Sequence, residues 1–220
     1  MFATFNKYKA EHPLLLLLFI AFLPRLLATV FSKGYGFHDD HYLIVEAAQS
    51  WIDGYDYNSW LPKNRPNSDP TGHSWFYVGL HYFFFSLLDF LHLGEPQTKM
   101  YITRFVHGLY SLLALPPLYY IGLKISNKET AFKGVLIFSL LWFIPILSVR
   151  NLVELVSLPP LLWATWLLFK EDKASLKNLI FAGFLMGAAM SVRLHMSLFI
   201  GGIGLVLLFK KQIIQAIIFG

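Results

Sequence analysis

Long blocks of apolar residues, separated by short polar connectors, constrain the fold of this chain more than any other feature. The first block, Pro13–Phe31, has the ~20 residues that an α-helix needs to cross a bilayer. Charged residues make up 14% of the 220-residue chain, whereas they make up about a quarter of an ordinary soluble domain. The sequence therefore predicts an all-α, polytopic transmembrane helical bundle rather than a soluble domain with a large core.

Five further apolar blocks approach or reach the length of a membrane-spanning helix, and they lie at 101–123, 131–149, 152–169, 179–192 and 194–209. Pro116-Pro117 predicts a kink or local break within the first of these. A sixth block, 74–93, is interrupted by one aspartate and two histidines. We predict that this block lies in the membrane interface, and the alternative is that it crosses the bilayer.

The positive charge of the chain is concentrated in its short connectors. The formal net charge is +5, and basic residues cluster near the N-terminus, in 124–133, in 170–177 and at Lys210-Lys211. Such connectors are typical of cytoplasmic loops under the positive-inside rule and not of a nucleic-acid-binding patch. This orientation places the loop 32–73 and the polar clusters 150–154 and 193–195 on the external side.

Four further features bound the prediction. The chain has no cysteine, which excludes disulfides and thiolate metal sites. The first block is longer than the apolar core of a usual signal peptide, so we interpret it as a membrane anchor. A new apolar run starts at Ile213, so we expect residues 1–220 to form a single transmembrane domain at the N-terminal end of a longer protein. Arg25 lies within the first block and is expected to face protein or a cavity, or alternatively to snorkel to an interface.

Ionisable residues are concentrated in the first external loop. His38, Asp39, Asp40, His41 and Glu46 lie within nine residues, shortly after the first apolar block. The following residues carry an apolar stripe at helical spacing, which predicts an amphipathic helix along the membrane surface that ends at Gly54. The two aspartates stand where helix-capping carboxylates belong, and capping alone is one interpretation. The other is catalysis, because a carboxylate at an interface can accept the proton of a hydroxyl group that attacks an activated sugar.

This segment resembles a motif of known membrane enzymes. Asp39-Asp40-His41-Tyr42-x-x-x-Glu46 is similar to the Asp-Glu-x-Phe-x-x-x-Glu signature in the first luminal loop of the mannosyltransferases that build lipid-linked oligosaccharides and GPI anchors. More broadly it resembles the GT-C glycosyltransferases that use polyprenyl-phosphate sugars, including the bacterial protein-mannosyltransferase-like and aminoarabinose-transferase-like branches. Phe37-His38 stands where the eukaryotic enzymes have His-Pro, and Leu43 stands where they have Gln.

The resemblance implies a multi-span fold with an active site on the external face and a polyprenyl-phosphate-linked sugar as donor. In this interpretation Asp39 is the catalytic aspartate, Asp40 is the second acidic position and Glu46 is the later glutamate of the motif. Asp39 would act as general base in a single displacement that inverts the anomeric centre. The departures from the eukaryotic pattern favour a bacterial inner membrane, with the active site on its periplasmic side. The sugar and the acceptor stay open.

The other external clusters offer candidate contacts to such a donor. The guanidinium fork of Arg150 suits the oxygens of a phosphate group, and Glu154 resembles a second external acidic site of the superfamily. Arg193 and His195 are weaker candidates for a phosphate contact, and Arg104 and His107 are expected to line the same cavity as Arg150. For each arginine the alternative is an interfacial anchor, and Glu154 can simply cap the next helix.

His38 and His41 flank the aspartates and are candidate substrate contacts. Their spacing also allows a divalent cation, although a surface role for these histidines is the commoner outcome. Two other functions are consistent with the sequence. One is a transporter in which Arg25 and the carboxylates form an ion or proton path, and the other is a non-catalytic subunit that binds a lipid-linked glycan. The polar clusters lie at the ends of spans and on one side, which favours the enzyme.

Overall fold

The structure is a computed structural model that describes residues 9–34, 40–55 and 74–219, and within these ranges the chain is helical and contains no strand. Eleven α-helices are assigned there, and their bounds are α1 Pro13–Phe31, α2 Ala47–Asp53, α3 Trp75–Phe90, α4 Pro96–Ser111, α5 Leu115–Ile125, α6 Lys128–Leu140, α7 Phe143–Ser148, α8 Val153–Phe169, α9 Leu176–Val192, α10 Met196–Phe209 and α11 Ile213–Phe219. The prediction of an all-α chain is therefore confirmed.

The described helices differ in whether they could cross a membrane. Among residues 9–34, 40–55 and 74–219, α1 is the one helix that is both long and apolar enough to do so. Three more helices, α8, α9 and α10, are apolar but shorter, with 17, 17 and 14 residues. A 17-residue helix is about 25 Å long, a little short of the ~30 Å hydrocarbon core of a bilayer.

Proline explains where two of the predicted spans are interrupted. Block 101–123 forms α4, a 3₁₀ turn at Leu112–Ala114 and α5, so the break precedes Pro116-Pro117 rather than following them. Block 131–149 was predicted as one helix, which is wrong, since α6 ends at Leu140 and α7 begins at Phe143. Pro145 lacks an N–H and its ring would clash with the carbonyl of Leu141 in a continuous helix, which accounts for this break.

Two carbonyl groups that proline leaves without a helical partner are bonded by aromatic side chains. Pro160 lies inside α8 and cannot donate to the carbonyl of Val156, which instead accepts from the Tyr110 hydroxyl at 2.8 Å. Pro117 likewise leaves the carbonyl of Leu113 free, and Trp163 Nε1 donates to it at 2.9 Å. These bonds join α8 to α4 and to the 3₁₀ turn in both directions, so the prolines are compatible with a dry helix–helix contact.

Arg25 joins three helices through its hydrogen bonds. It is 2% exposed, its Nε donates to Ser111 Oγ at 2.8 Å, and its Nη1 donates to the carbonyl oxygens of Ala21 at 2.9 Å and Ser139 at 3.5 Å. Arg25 in α1 therefore contacts α4 and α6. The expectation that it faces protein is confirmed.

Apolar side chains form three buried clusters along the bundle. One joins α1 to α5 and α6, a second joins the 41–53 region to α3 and to the adjoining ends of α8 and α9, and a third joins α8, α9, α10 and α11. The α8–α9 contact contains small buried residues, namely Ser157, Ala164, Ala182 and Ala189, and small residues let helix backbones approach closely. The second cluster carries the 41–53 region, and with it the acidic motif, against the N-terminal end of α8.

A candidate anion site beside the acidic motif

The segment after the acidic pair begins as a π-helix and continues as an α-helix. The π-helical part is His41–Glu46, and the wider turn brings His41 Nε2 and Glu46 Oε1 to 4.0 Å. Ile44, Val45, Ala47 and Ala48 are buried against α3 and α8, as the apolar stripe predicts. The helix ends at Gly54, which adopts the left-handed conformation with φ 64°. The predicted position of this C-cap is confirmed.

Asp40 does not cap its own helix. Its side chain makes no cap hydrogen bond there, and its Oδ2 accepts instead from the backbone N–H of Val153, the first residue of α8, at 3.1 Å. Asn151 Nδ2 donates to the Asp40 carbonyl at 2.7 Å. A carboxylate at a helix N-terminus satisfies a free N–H and interacts favourably with the helix dipole. Asp40 therefore ties the acidic segment to α8.

The two other residues that the sequence places at the start of this motif, His38 and Asp39, lie outside the described residues. Their predicted roles stay predictions. Asp40, His41 and Glu46 are the candidate site residues of the motif that the structure describes.

Two arginines lie at this end of the bundle and line one small cavity. We call it the arginine cavity, a space of about 180 Å³ whose wall includes Lys33, His41, Arg104, Arg150 and Asn151. Arg104 comes from α4, Arg150 from the connector before α8, and His41 from the segment that follows Asp40. The fold thus brings together three of the positions that the sequence singles out, although 46 residues separate the two arginines along the chain.

Each arginine is anchored by some of its nitrogens and has another without a partner. Arg104 Nε donates to the Met100 carbonyl at 3.1 Å and its Nη1 to the Ser32 carbonyl at 2.9 Å. Arg150 Nη2 donates to Ser32 Oγ at 2.9 Å and to the Lys33 carbonyl at 3.2 Å. Arg104 Nη2 and Arg150 Nε are buried and have no hydrogen-bond partner among the described residues. Such groups are expensive to leave unsatisfied, especially on a charged side chain.

The electrostatics of the cavity favour an anion. Burial, and next the positive charge of Arg104, lower the pKa of Arg150. Two like charges that face one space repel each other, and an anion between them would offset that repulsion and supply acceptors for the free nitrogens. Phosphate, with several acceptor oxygens, matches this arrangement of donors.

A second, larger cavity shares a wall with the arginine cavity. This polar cleft has a volume of about 380 Å³ and shares His41, Gln97 and Met100 with its neighbour. Its lining also includes Glu46, and on its far side Lys99, which is 5% exposed. Lys99 Nζ donates to the Asp89 carboxylate at 2.8 Å and to Gln49 Oε1 at 3.0 Å. Glu46 therefore borders a cleft whose lining includes other polar side chains.

The remaining predicted contacts lie outside the arginine cavity. Glu154 and Arg193 form an ion pair with Nε and Oε1 3.3 Å apart, and neither residue lines the cavity. His195 is exposed at the start of α10. All three lie at the same end of the bundle as Asp40, because α8 begins and α9 ends there. The structure therefore places these polar clusters on one side of the bundle, while among the described site candidates His41, Arg104 and Arg150 line the arginine cavity.

Arg104 and His107 do not line a common cavity, contrary to the expectation from their spacing. His107 instead lines a larger space of about 420 Å³ between α3, α4, α8 and α9, which we call the apolar cavity. Three positions along an α-helix leave the two side chains roughly 60° apart, which is enough for them to face different neighbouring helices. Here Arg104 faces the chain after α1, and His107 faces α3.

The described residues contain no group of three histidine, aspartate or glutamate side chains placed to hold a metal ion. The predicted cation site depends on His38 and Asp39, which lie outside the described residues. His81 is buried in α3 against His107, with ring centroids 5.7 Å apart.

Sequence reasoning did not single out Lys33 and Lys99. Both are basic residues close to an apolar block, and that position is the sequence feature that could have predicted their place in the polar cavities. Lys99 follows the interrupting Asp89 by ten positions, which is consistent with the hairpin of α3 and α4 that pairs them. Lys33 is close to the ring of Tyr101, at 5.9 Å.

Comparisons of the chain with models of protein families, with curated proteins and with solved structures found no match.

Proposed function

We propose that this protein is a multi-pass membrane glycosyltransferase of the GT-C type, which transfers a sugar from a polyprenyl-phosphate donor to an acceptor hydroxyl. The observation that carries the proposal is the convergence of Arg104 and Arg150, each with an unpartnered buried nitrogen, on a cavity beside the acidic motif. A phosphate-binding pocket next to a carboxylate pair is what transfer from a sugar phosphate requires.

The membrane placement is supported by the apolar helices and by the surface of the bundle. Large apolar side chains are widely exposed on it, including Phe31, Phe90, Leu198 and Phe209 at 75%, 78%, 80% and 85%. Exposed apolar surface on this scale is costly in water and is suited to lipid. We propose that α1, the α4–α5 pair, the α6–α7 pair and α8 to α10 cross the membrane, with the arginine cavity on the external side.

The proposed reaction is a single displacement. Asp39 accepts the proton of the acceptor hydroxyl as its oxygen bonds to the anomeric carbon. The bond from that carbon to the phosphate oxygen breaks at the same time, and polyprenyl phosphate leaves with the bonding electrons. Arg104 and Arg150 stabilise the charge that develops on this leaving group, and the anomeric configuration inverts.

Transfer of labelled sugar tests the proposal. Membranes containing the protein are supplied with a panel of polyprenyl-phosphate sugars, and wild type is compared with Asp39→Asn and Arg104→Gln at matched protein levels. Asp39→Asn should lower the rate by about a hundredfold or more, the scale of a lost general base. Arg104→Gln should lower it by roughly tenfold to a hundredfold, the scale of one hydrogen bond to a charged group.

Lys133→Gln is the matched control, because Lys133 is an exposed cation on α6 that pairs with Glu129, away from the arginine cavity. It should leave transfer unchanged. Equal rates in wild type and Asp39→Asn would remove Asp39 from catalysis. Absence of transfer from every donor, together with uptake of a labelled ion or solute into vesicles, would favour the transporter instead.

A further inference from the structure

The apolar cavity contains one polar group that has no partner. Its walls are almost entirely hydrocarbon, but His81 from α3 and His107 from α4 both line it. His81 is 4% exposed, and its Nε2 is buried without a hydrogen-bond partner. His81 belongs neither to the acidic motif nor to the lining of the arginine cavity. Its unpartnered nitrogen therefore needs a separate explanation.

The other polar groups in the wall are already satisfied. The Tyr77 hydroxyl and His107 Nε2 are 2.5 Å apart, and His107 Nδ1 is 2.7 Å from the Thr103 carbonyl oxygen. The Tyr110 hydroxyl donates to the Val156 carbonyl. Among the described residues that line the cavity, His81 is therefore the one with a side-chain polar atom that is buried and without a partner.

The hydrogen bonds of His81 determine what that atom can bind. Its Nδ1 lies 3.1 Å from the backbone carbonyl of Tyr77, and a carbonyl only accepts, so Nδ1 carries the proton. In the neutral ring Nε2 is then an acceptor, and a ligand must bring a donor to it. An imidazolium would need an anion, and the residues lining this cavity offer none.

The ring is held in place and one side of the cavity is open. His81 stacks on His107 and meets the ring of Tyr77 edge-on, with centroids 4.6 Å apart. Because Nδ1 points back to its own helix, Nε2 points away from it.

The cavity is open on one side. Phe76, Leu80 and Val106 line it and remain 49%, 48% and 42% exposed, so a molecule can enter from the side of the bundle. The volume of about 420 Å³ is within the usual range of ligand sites, about 300–1,000 Å³.

We propose that the apolar cavity binds an apolar alcohol, a hydrocarbon chain whose single hydroxyl group donates to His81 Nε2. This inference goes beyond the proposed transfer reaction and does not depend on it, because it rests on the lining of a different cavity. The hydrocarbon wall provides affinity for the chain, and the orphan acceptor selects a hydroxyl group over an ether or an alkane.

Competition photolabelling tests this selectivity. The purified full-length chain in lipid nanodiscs is labelled with a long-chain alcohol that carries a diazirine, and labelling is competed with the unlabelled alcohol or with its methyl ether. The ether keeps the chain and the oxygen but cannot donate. The alcohol should compete about threefold to tenfold better, as expected for one hydrogen bond, and labelled peptides should come from 76–84 and 106–110.

Three variants separate the hydrogen bond from packing. His81→Phe should abolish the difference between alcohol and ether, and His81→Gln should keep part of it, because the Gln side-chain oxygen reaches the position of Nε2. Leu80→Ala should weaken both competitors equally. Equal competition by alcohol and ether in the wild type would overturn the proposal, whether or not His81→Phe folds. A preference that survives in a folded His81→Phe would overturn it as well.

Discussion

Arg25 and Arg104 are both buried arginines, 2% and 8% exposed, and they differ in how completely their nitrogens are bonded. Arg25 lies in the middle of α1, and none of its buried nitrogens lacks a partner. Arg104 lies near the end of the bundle and keeps a buried nitrogen unpartnered beside a cavity. A guanidinium that protein groups satisfy holds helices together, whereas one that they leave unsatisfied is available to a ligand. Burial alone does not separate these two roles.

Arg25→Ala should have the largest effect on stability. It removes one of the largest fully buried side chains and leaves a cavity between three helices, so unfolding should be easier by about 3 kcal/mol. Denaturant titration in bicelles measures this. Binding of inorganic phosphate by the folded protein should not change. Arg25→Met is the matched variant, and it should recover most of the loss because it fills the volume. Weaker phosphate binding by folded Arg25→Ala would break the distinction between the two arginines.

Arg150→Gln should lower both stability and phosphate affinity, because Arg150 anchors the chain after α1, as Arg25 anchors helices, and faces the arginine cavity, as Arg104 does. Loss of its bonds to Ser32 and Lys33 should lower stability by about 1 kcal/mol, and phosphate affinity should fall roughly tenfold. Calorimetric titration with phosphate and denaturant titration on the same preparation measure both. Lys133→Gln should change neither. A change in stability without any change in affinity would assign Arg150 to the structural class of Arg25.

Trp163→Phe tests whether a carbonyl that proline leaves without a helical bond depends on its side-chain donor. It removes the donor to the Leu113 carbonyl, which Pro117 leaves without a helical bond, so the folded state should lose about 1 kcal/mol. Denaturant titration measures the loss. Trp142→Phe is the control, since Trp142 is 76% exposed. Equal stability of Trp163→Phe and wild type would mean that this carbonyl finds another donor.

Glu95→Gln should have the smallest effect and a defined pH dependence. The Thr98 backbone N–H and hydroxyl donate to the Glu95 carboxylate at the start of α4 and lower its pKa. A lowered pKa in the folded state means that the carboxylate contributes stability above its ordinary pKa, and that this contribution is lost as the pH falls below it. Melting temperatures of both proteins across acidic pH should therefore converge at low pH. A constant difference across that range would contradict the assignment.

Sequence patterns predicted the local features well. The positions of the apolar blocks predicted α8, α9 and α10 to within a few residues at each end, and Gly54 predicted the end of α2. These features depend on neighbouring residues, since an apolar block buries itself as a helix and a glycine accepts positive φ. The apolar pattern did not predict the break at 141–142. Pro145 causes it through the carbonyl of Leu141, four residues before the proline, and an apolar pattern does not register that effect.

The contacts between distant positions were less accessible. Capping of the helix that follows was one interpretation of Asp40, and its carboxylate instead accepts from the N–H of Val153 on another helix. Arg104 and His107 were expected in one cavity, and they face two. A one-dimensional pattern shows which residue types are neighbours along a helix, but the helix that each face meets depends on packing.

The sequence alone determined that the chain is helical and rich in lipid-compatible surface, and that it carries an acidic motif and several arginines near the ends of apolar blocks. Local spacing and composition are sufficient for these properties. The tertiary structure alone decided that Ser111 and Ser139 satisfy Arg25 while Arg104 Nη2 and Arg150 Nε have no partner. The partners of a guanidinium group come from residues far away in the chain, so only the packing of α1, α4, α6 and the start of α8 distinguishes a fully bonded arginine from one that keeps an unpartnered nitrogen.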